Sequence, residues 1–144
     1  MKAIDLPRFK ATCTELMDME RSAFETYTQA IEYYREDPLH SMLMEIRSAH
    51  DENIDCLADH LGHYRTDPAG SPDLFSGAVE VTSMIFGEGA ALMALEAGEA
   101  EAAQAYLDAA SDPRLPPAFK VDLRRKVIPR VKANLLELET ARLG

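Results

Sequence analysis

The sequence predicts an all-α fold: a four-helix bundle of two helical hairpins, joined by one long crossover that carries a short helix. Three observations carry this. Ala, Leu, Met and Glu are plentiful, Gly is sparse and Trp is absent, a composition that favours helices. Apolar residues recur in steps of three and four along four stretches, the spacing of one buried helix face. Asp-Pro and Pro-Pro pairs punctuate those stretches where a helix would stop and restart.

Asp5 caps the first helix, with Pro7 in its opening turn, and the helix runs to about Arg35. Its buried stripe reads Cys13, Leu16 or Met17, Phe24, Tyr27, Ile31 and Tyr34. At Asp37-Pro38 a cap is followed by proline at the first helical position. The second helix then runs to about Leu61, ended by Gly62, with Leu39, Leu43, Ile46, His50, Asn53, Leu57 and His60 inward. A further helical stretch opens at Ser71-Pro72-Asp73, with a break near Gly87 and Gly89, and reaches about Ala110. Its stripe is Ile85, Glu88, Leu92, Leu95, Glu99, Ala102 and Tyr106. After the turn at 111–117, the last helix runs from about Pro117 to Arg142, with Leu123, Val127, Val131, Asn134, Leu138 and Ala141 inward. Pro129 inside it predicts a kink.

In an antiparallel hairpin, facing residues are equidistant from the turn. Glu20 therefore faces the His50/Asn53 turn across Asp37-Pro38, and Glu99 faces Val131/Asn134 across Pro116-Pro117. Matching the two hairpins by a two-fold starts the third helix near Ser83. Residues 63–83 are left as the crossover, with the short helix in LFSGAVEVT.

The 144 residues suit a single domain, 1–144, with a sizeable core. A net charge of -10 repels phosphate backbones and anionic lipid, so neither nucleic acid nor membrane is an expected partner. No apolar run approaches the roughly 20 residues of a membrane span. The opening MKAIDLPRFK is not a secretion signal, and Cys13 and Cys56 read as reduced, buried and structural, outside any zinc or redox spacing. The expected setting is cytoplasmic.

The informative oddity is a glutamate on the buried stripe with a tyrosine seven residues later, and it occurs twice: Glu20 with Tyr27, and Glu99 with Tyr106. An unpaired carboxylate costs several kcal/mol to bury, so the pair was placed either for a metal or as members of a polar core layer. In the second reading Tyr27 or Tyr106 donates to the opposite glutamate, protonated His50 pairs with a carboxylate, and Asn53 and Asn134 donate through their amides. Of the basic residues on the last helix, Arg130 beside the kink is the one expected to reach inward.

This arrangement resembles the ferritin-like superfamily, specifically the rubrerythrin-like four-helix bundles and their small bacterial members. There, helices one and three each supply a Glu with a Tyr about seven residues on, as Glu20/Tyr27 and Glu99/Tyr106 do here. Helices two and four supply Glu-x-x-His, where this chain has His50-x-x-Asn53 and Val131-x-x-Asn134. The resemblance thus implies a degenerate di-iron site. It implies a cytoplasmic, non-catalytic bundle without a cofactor that self-associates as a homodimer or binds a protein partner. The apolar crossover residues Leu74, Phe75, Val79, Val81, Met84, Ile85 and Phe86 are expected to pack on a second subunit. The alternative is a metal-binding oxidoreductase or iron-handling protein that holds one Fe, Mn or Zn ion on Glu20, His50 and Glu99, with Tyr27, Asn53, Tyr106 and Asn134 in support.

The other candidates have plainer readings. His60 and His63 are end-of-core or surface histidines, Glu88 is solvated, and Met17, Met19, Met42, Met44, Met84 and Met93 are core filler. RRKVIPRVK is a basic helix face that pairs with acidic neighbours.

Overall fold

The computed structural model describes residues 3–64 and 87–144. They form α1 (Leu6–Tyr33), α2 (Leu39–His63), α3 (Glu88–Ala110), α4 (Pro117–Asp122), a π-helical segment (Leu123–Val127) and α5 (Ile128–Leu143). The backbone stays right-handed helical through both junctions of the last three pieces, which together make a fourth rod. The described residues are thus an all-α four-helix bundle. The crossover helix expected in LFSGAVEVT and the apolar residues from Leu74 to Phe86 lie outside the described residues. None of the described helices is long and apolar enough to cross a membrane.

The local signals act as their chemistry dictates. The Asp5 carboxylate accepts from the Arg8 N–H at 3.1 Å and caps α1. The Asp37 carboxylate accepts from the Leu39 N–H at 2.9 Å, with Pro38 already helical at φ -55°. Gly62 does not end α2; the helix continues to His63. The two-fold argument placed the start of the third helix near Ser83. Instead Gly87 takes φ +111°, which no helix can pass through and few L-residues adopt, and α3 begins at Glu88.

Pro129 acts one turn early. It has no N–H to offer the carbonyl four residues back, and the rod widens just before it into a π turn whose Ile128 N–H reaches Leu123 O. The expected kink thus takes the form of a local change of winding.

α1 packs chiefly on α2, and α3 chiefly on the fourth rod; contact between the hairpins is sparser. The buried apolar side chains form two clusters. One gathers Phe9, Cys13, Leu16, Leu57, Tyr106, Phe119 and their neighbours at one end. The other gathers Tyr27, Ile31, Leu43, Ile46, Leu92, Leu95 and Leu138 at the other end. Between them lies a layer of buried polar groups: Glu20, His50, Asn53, Glu99 and Asn134.

Two sequence expectations about packing fail. Met44 and Met93 are 44% and 60% exposed rather than core filler, because each lies off the buried stripe of its own helix. Cys56 is half-buried, whereas Cys13 is fully enclosed and burial pushes its thiol up to about 12. Both cysteines are free. Glu88 is exposed, and the basic stretch does pair with acids: Lys126 with Asp122 at 3.7 Å and Arg130 with Glu52 at 3.2 Å.

Candidate functional site

Four helical segments converge on the polar layer. α1 brings Glu20 and, two turns along the same face, Tyr27. α2 brings His50 and Asn53, one turn apart. α3 brings Glu99 and Tyr106, and α5 brings Arg130 and Asn134. Glu20 and Asn53 are fully buried, and Glu99 is 2% exposed.

The His50 ring lies between the two carboxylates. Its Nδ1 is 2.6 Å from Glu20 Oε2 and its Nε2 is 2.5 Å from Glu99 Oε1. With both glutamates ionised, their oxygens only accept, and an imidazole that bonds one on each side then carries a proton on both nitrogens and is a cation. Burial alone pulls its pKa down. The hydrogen bonds to Glu20 and Glu99, and the charges behind them, overcome this and raise it to about 10. The Tyr27 ring stacks on the imidazole, with centroids 5.3 Å apart and planes 26° from parallel, which suits a cation over a π face.

The tyrosines close the layer crosswise. Tyr27 donates to Glu99 Oε1 at 2.8 Å, and Tyr106 donates to Glu20 Oε1 at 2.6 Å. Burial and the adjacent carboxylates hold both phenols well above the ordinary tyrosine range, so both stay neutral donors. Arg130 runs inward from Glu52 and donates to Asn53 Oδ1 at 3.1 Å. Because a guanidinium can only donate, the amide oxygen faces Arg130, and Asn53 Nδ2 is left to approach Glu20 Oε1 at 3.4 Å. Glu20, Tyr27, His50, Asn53, Glu99 and Tyr106 are therefore one connected network.

Asn134 is not joined to it. Among the described residues its Nδ2 has no hydrogen-bond partner, and the hydrogen bonds of Glu99 go across to α1 and α2 rather than along its own hairpin. The facing rule fixes the level of a residue, not the direction its carboxylate takes. Val131, at the level of the layer, is fully buried and apolar.

One acceptor is left over. Glu99 Oε2 is buried and without a partner among the described residues. Glu99 lines a cleft of about 690 Å³ between α1 and α3. Tyr27, His50 and Glu99 form part of its lining, and Glu15, Asp18, Glu101, Asp108 and Asp112 give the cleft a negative wall with Arg8 as the counter-charge.

As a ligand set the layer is poor. A two-iron carboxylate centre takes about four carboxylates and two imidazoles; here there are two and one, so the residues do not fit that group. Nor do Glu20, His50 and Glu99 converge on one point, since the carboxylates sit on opposite sides of the ring. Among the described residues, the three metal-ligating side chains whose donor atoms lie within 4.8 Å of one another are Cys56, His60 and Asp122. By sequence, Cys56 falls outside any zinc motif spacing and His60 reads as an end-of-core or surface histidine. The Cys56-x-x-x-His60 spacing on one helix face was available as a signal, but Asp122 comes from the other hairpin and nothing local announces it. His63 takes no part and instead meets Tyr64 edge to face.

No family model, curated protein or solved structure matches the chain. A functional reading therefore rests on the architecture and the geometry of this layer.

Proposed function

We propose that this chain is a non-catalytic bundle of the ferritin-like kind, in which the His50 imidazolium has taken the place of a metal cation, and that it works by association. The observation that carries this reading is the seating of His50, with both ring nitrogens engaged by carboxylates. A histidine that binds metal must offer a bare nitrogen lone pair, and an imidazolium with both nitrogens engaged by carboxylates has none to offer. The two buried carboxylates already have their counter-charge, and the tyrosines complete the shell. Such a layer fixes the register of the four rods and needs no substrate.

The partner in this reading is a second copy in the cytoplasm. Met93, Leu136 and Leu143 of the second hairpin are 60%, 64% and 70% exposed, and burying such side chains against a second copy would favour association. In sedimentation at high micromolar concentration the chain is expected to run as a dimer, and Leu136→Glu to shift it toward the monomer; a wild type that stays monomeric removes this part of the reading. Nitrogen NMR of His50 tests the layer itself. Both ring nitrogens are expected to keep the imidazolium pattern up to pH 9, and a neutral tautomer at pH 8 would refute it.

A second reading is favoured by the unpartnered Oε2 of Glu99, which lines the cleft. If the His50 ring gave up its place between the carboxylates and offered one bare nitrogen to the ion, Glu20, His50 and Glu99 would hold one Fe, Mn or Zn ion for oxidoreductase or iron-handling chemistry. That reading predicts a metal ion in the purified protein that is lost on Glu99→Ala.

A further inference from the structure

Cys56 and His60 stand one turn apart on α2 and face the junction of α4 with the π segment. Asp122 is the last α-helical residue before that junction. The donor atoms of the three lie within 4.8 Å of one another, and His60 Nε2 is 2.7 Å from Asp122 Oδ2. The set brings one sulfur, one nitrogen and one oxygen donor from two hairpins to one point.

We propose that Cys56, His60 and Asp122 form a binding site for a single zinc ion, with water as the fourth ligand, that clamps α2 to the fourth rod. The donor chemistry suits zinc, which takes thiolate, imidazole and carboxylate at about 2.0–2.3 Å in tetrahedral sites and keeps a water where the protein supplies three ligands. Tetrahedral bonds of that length place donor atoms about 3.5 Å apart, within the present spread, so side-chain adjustment closes the site without moving a helix. A thiolate and a carboxylate balance the ion's two charges. Hard-oxygen cations such as Mg²⁺ are disfavoured by the sulfur and the imidazole.

The surroundings are those of a supported site. The His60 ring packs edge to face on Phe119, with centroids 5.4 Å apart, which limits its rotation. The His60 and Asp122 side chains are 15% and 30% exposed, so an ion and its water can enter. Lys126 Nζ, 3.7 Å from Asp122 Oδ1, occupies the outer side of the carboxylate as an ion-free counter-charge, and its long stem lets it withdraw. The π turn beginning at Leu123 is the kind of winding defect that recurs at functional positions in helices. The site shares no residue with the His50 layer, so the two proposals stand or fall separately.

The test uses untagged, chelator-stripped protein titrated with Co²⁺ alone. Binding saturates at one equivalent, with a thiolate-to-cobalt charge-transfer band in the near ultraviolet and the strong visible bands of a four-coordinate ion, and Zn²⁺ abolishes both. Cys56→Ser loses the charge-transfer band, whereas Cys13→Ala and Glu99→Ala keep it. His60→Gln and Asp122→Asn each weaken Zn²⁺ at least tenfold, and serve in place of Cys56→Ser should that variant not fold. The proposal is overturned by failure to bind Co²⁺ or Zn²⁺, by a six-coordinate spectrum without a sulfur band, by a band that survives Cys56→Ser, or by loss of the ion in Glu99→Ala.

Discussion

The charge on His50 has a measurable thermodynamic consequence. Its pKa is raised from an ordinary 6.5 to about 10 in the folded chain. The folded state then holds a proton that the unfolded state gives up. The stability this confers is complete below about pH 6.5 and is lost as pH rises through about 10. Each tenfold change in proton activity is about 1.4 kcal/mol, so the interval sets a ceiling near 5 kcal/mol. Between pH 7 and 9 the expected loss from this one group is about 2.5 kcal/mol. The assay is urea unfolding of wild type and His50→Gln at both pH values. Groups away from the layer titrate alike in both proteins, and the difference reports on the layer that His50 holds together. At pH 7 the variant should be less stable by about 3–5 kcal/mol, because two buried carboxylates are left without their cation. At pH 9 that gap should have narrowed by about 2.5 kcal/mol. A gap that stays constant, or a variant as stable as wild type at pH 7, would show that the ring does not carry the charge assigned to it.

Other outcomes follow from the same geometry. Tyr106→Phe leaves Glu20 Oε1 with only the long contact to Asn53 and is expected to cost about 1–3 kcal/mol in urea unfolding, a loss that Tyr27→Phe repeats at Glu99. Glu20→Leu alone should destabilise more, since it strands both His50 and the Tyr106 hydroxyl. Replacing the layer together, with leucine at 20, 50 and 99 and phenylalanine at 27 and 106, should be neutral or stabilising by about 1–4 kcal/mol. On the acid side, Asp112 is held at about 2 by the Arg114 N–H and the Arg8 and Arg114 guanidiniums. Its contribution is present above about pH 4 and is lost as pH falls through 2, so Asp112→Asn should flatten acid unfolding in that window by circular dichroism.

Much of the layer was readable before any coordinates. A seven-residue step returns to the same helix face, so Glu20 with Tyr27 and Glu99 with Tyr106 had to share one, and counting from the turns placed His50 and Asn53 opposite Glu20. A tyrosine bond to the opposite glutamate was expected from the need to satisfy a buried carboxylate, and the inward reach of Arg130 from its place beside the kink. What stayed hidden depends on relations between hairpins. Whether His50 stands beside or between the carboxylates is set by how far α1 and α3 lie apart, and no periodicity encodes that distance. Asn134 matches its level yet makes no bond through its Nδ2, because Glu99 turned toward α1 and α2. The break near Gly87 was legible, but the two-fold argument assumed helices of equal reach and so put the start of α3 near Ser83 rather than at Glu88. Met93 was a readable error: its neighbour Leu92 is on the stripe, and adjacent residues point about 100° apart.

The π turn ahead of Pro129 gives the fourth rod a phase offset. An α-helix advances about 100° per residue, and a wider turn absorbs one residue more than a regular one. Everything upstream of it, including Phe119 and Asp122, is indexed to the rest of the rod by that surplus residue. Deleting one residue from 123–127 would remove the surplus and leave the two pieces in phase, whereas rewinding the segment as regular α-helix with every residue kept would spin the upstream piece by roughly a quarter of a revolution. Phe119 would swing away from Phe9, and one end of the interior would lose its plug while the carboxylate partition stayed aligned.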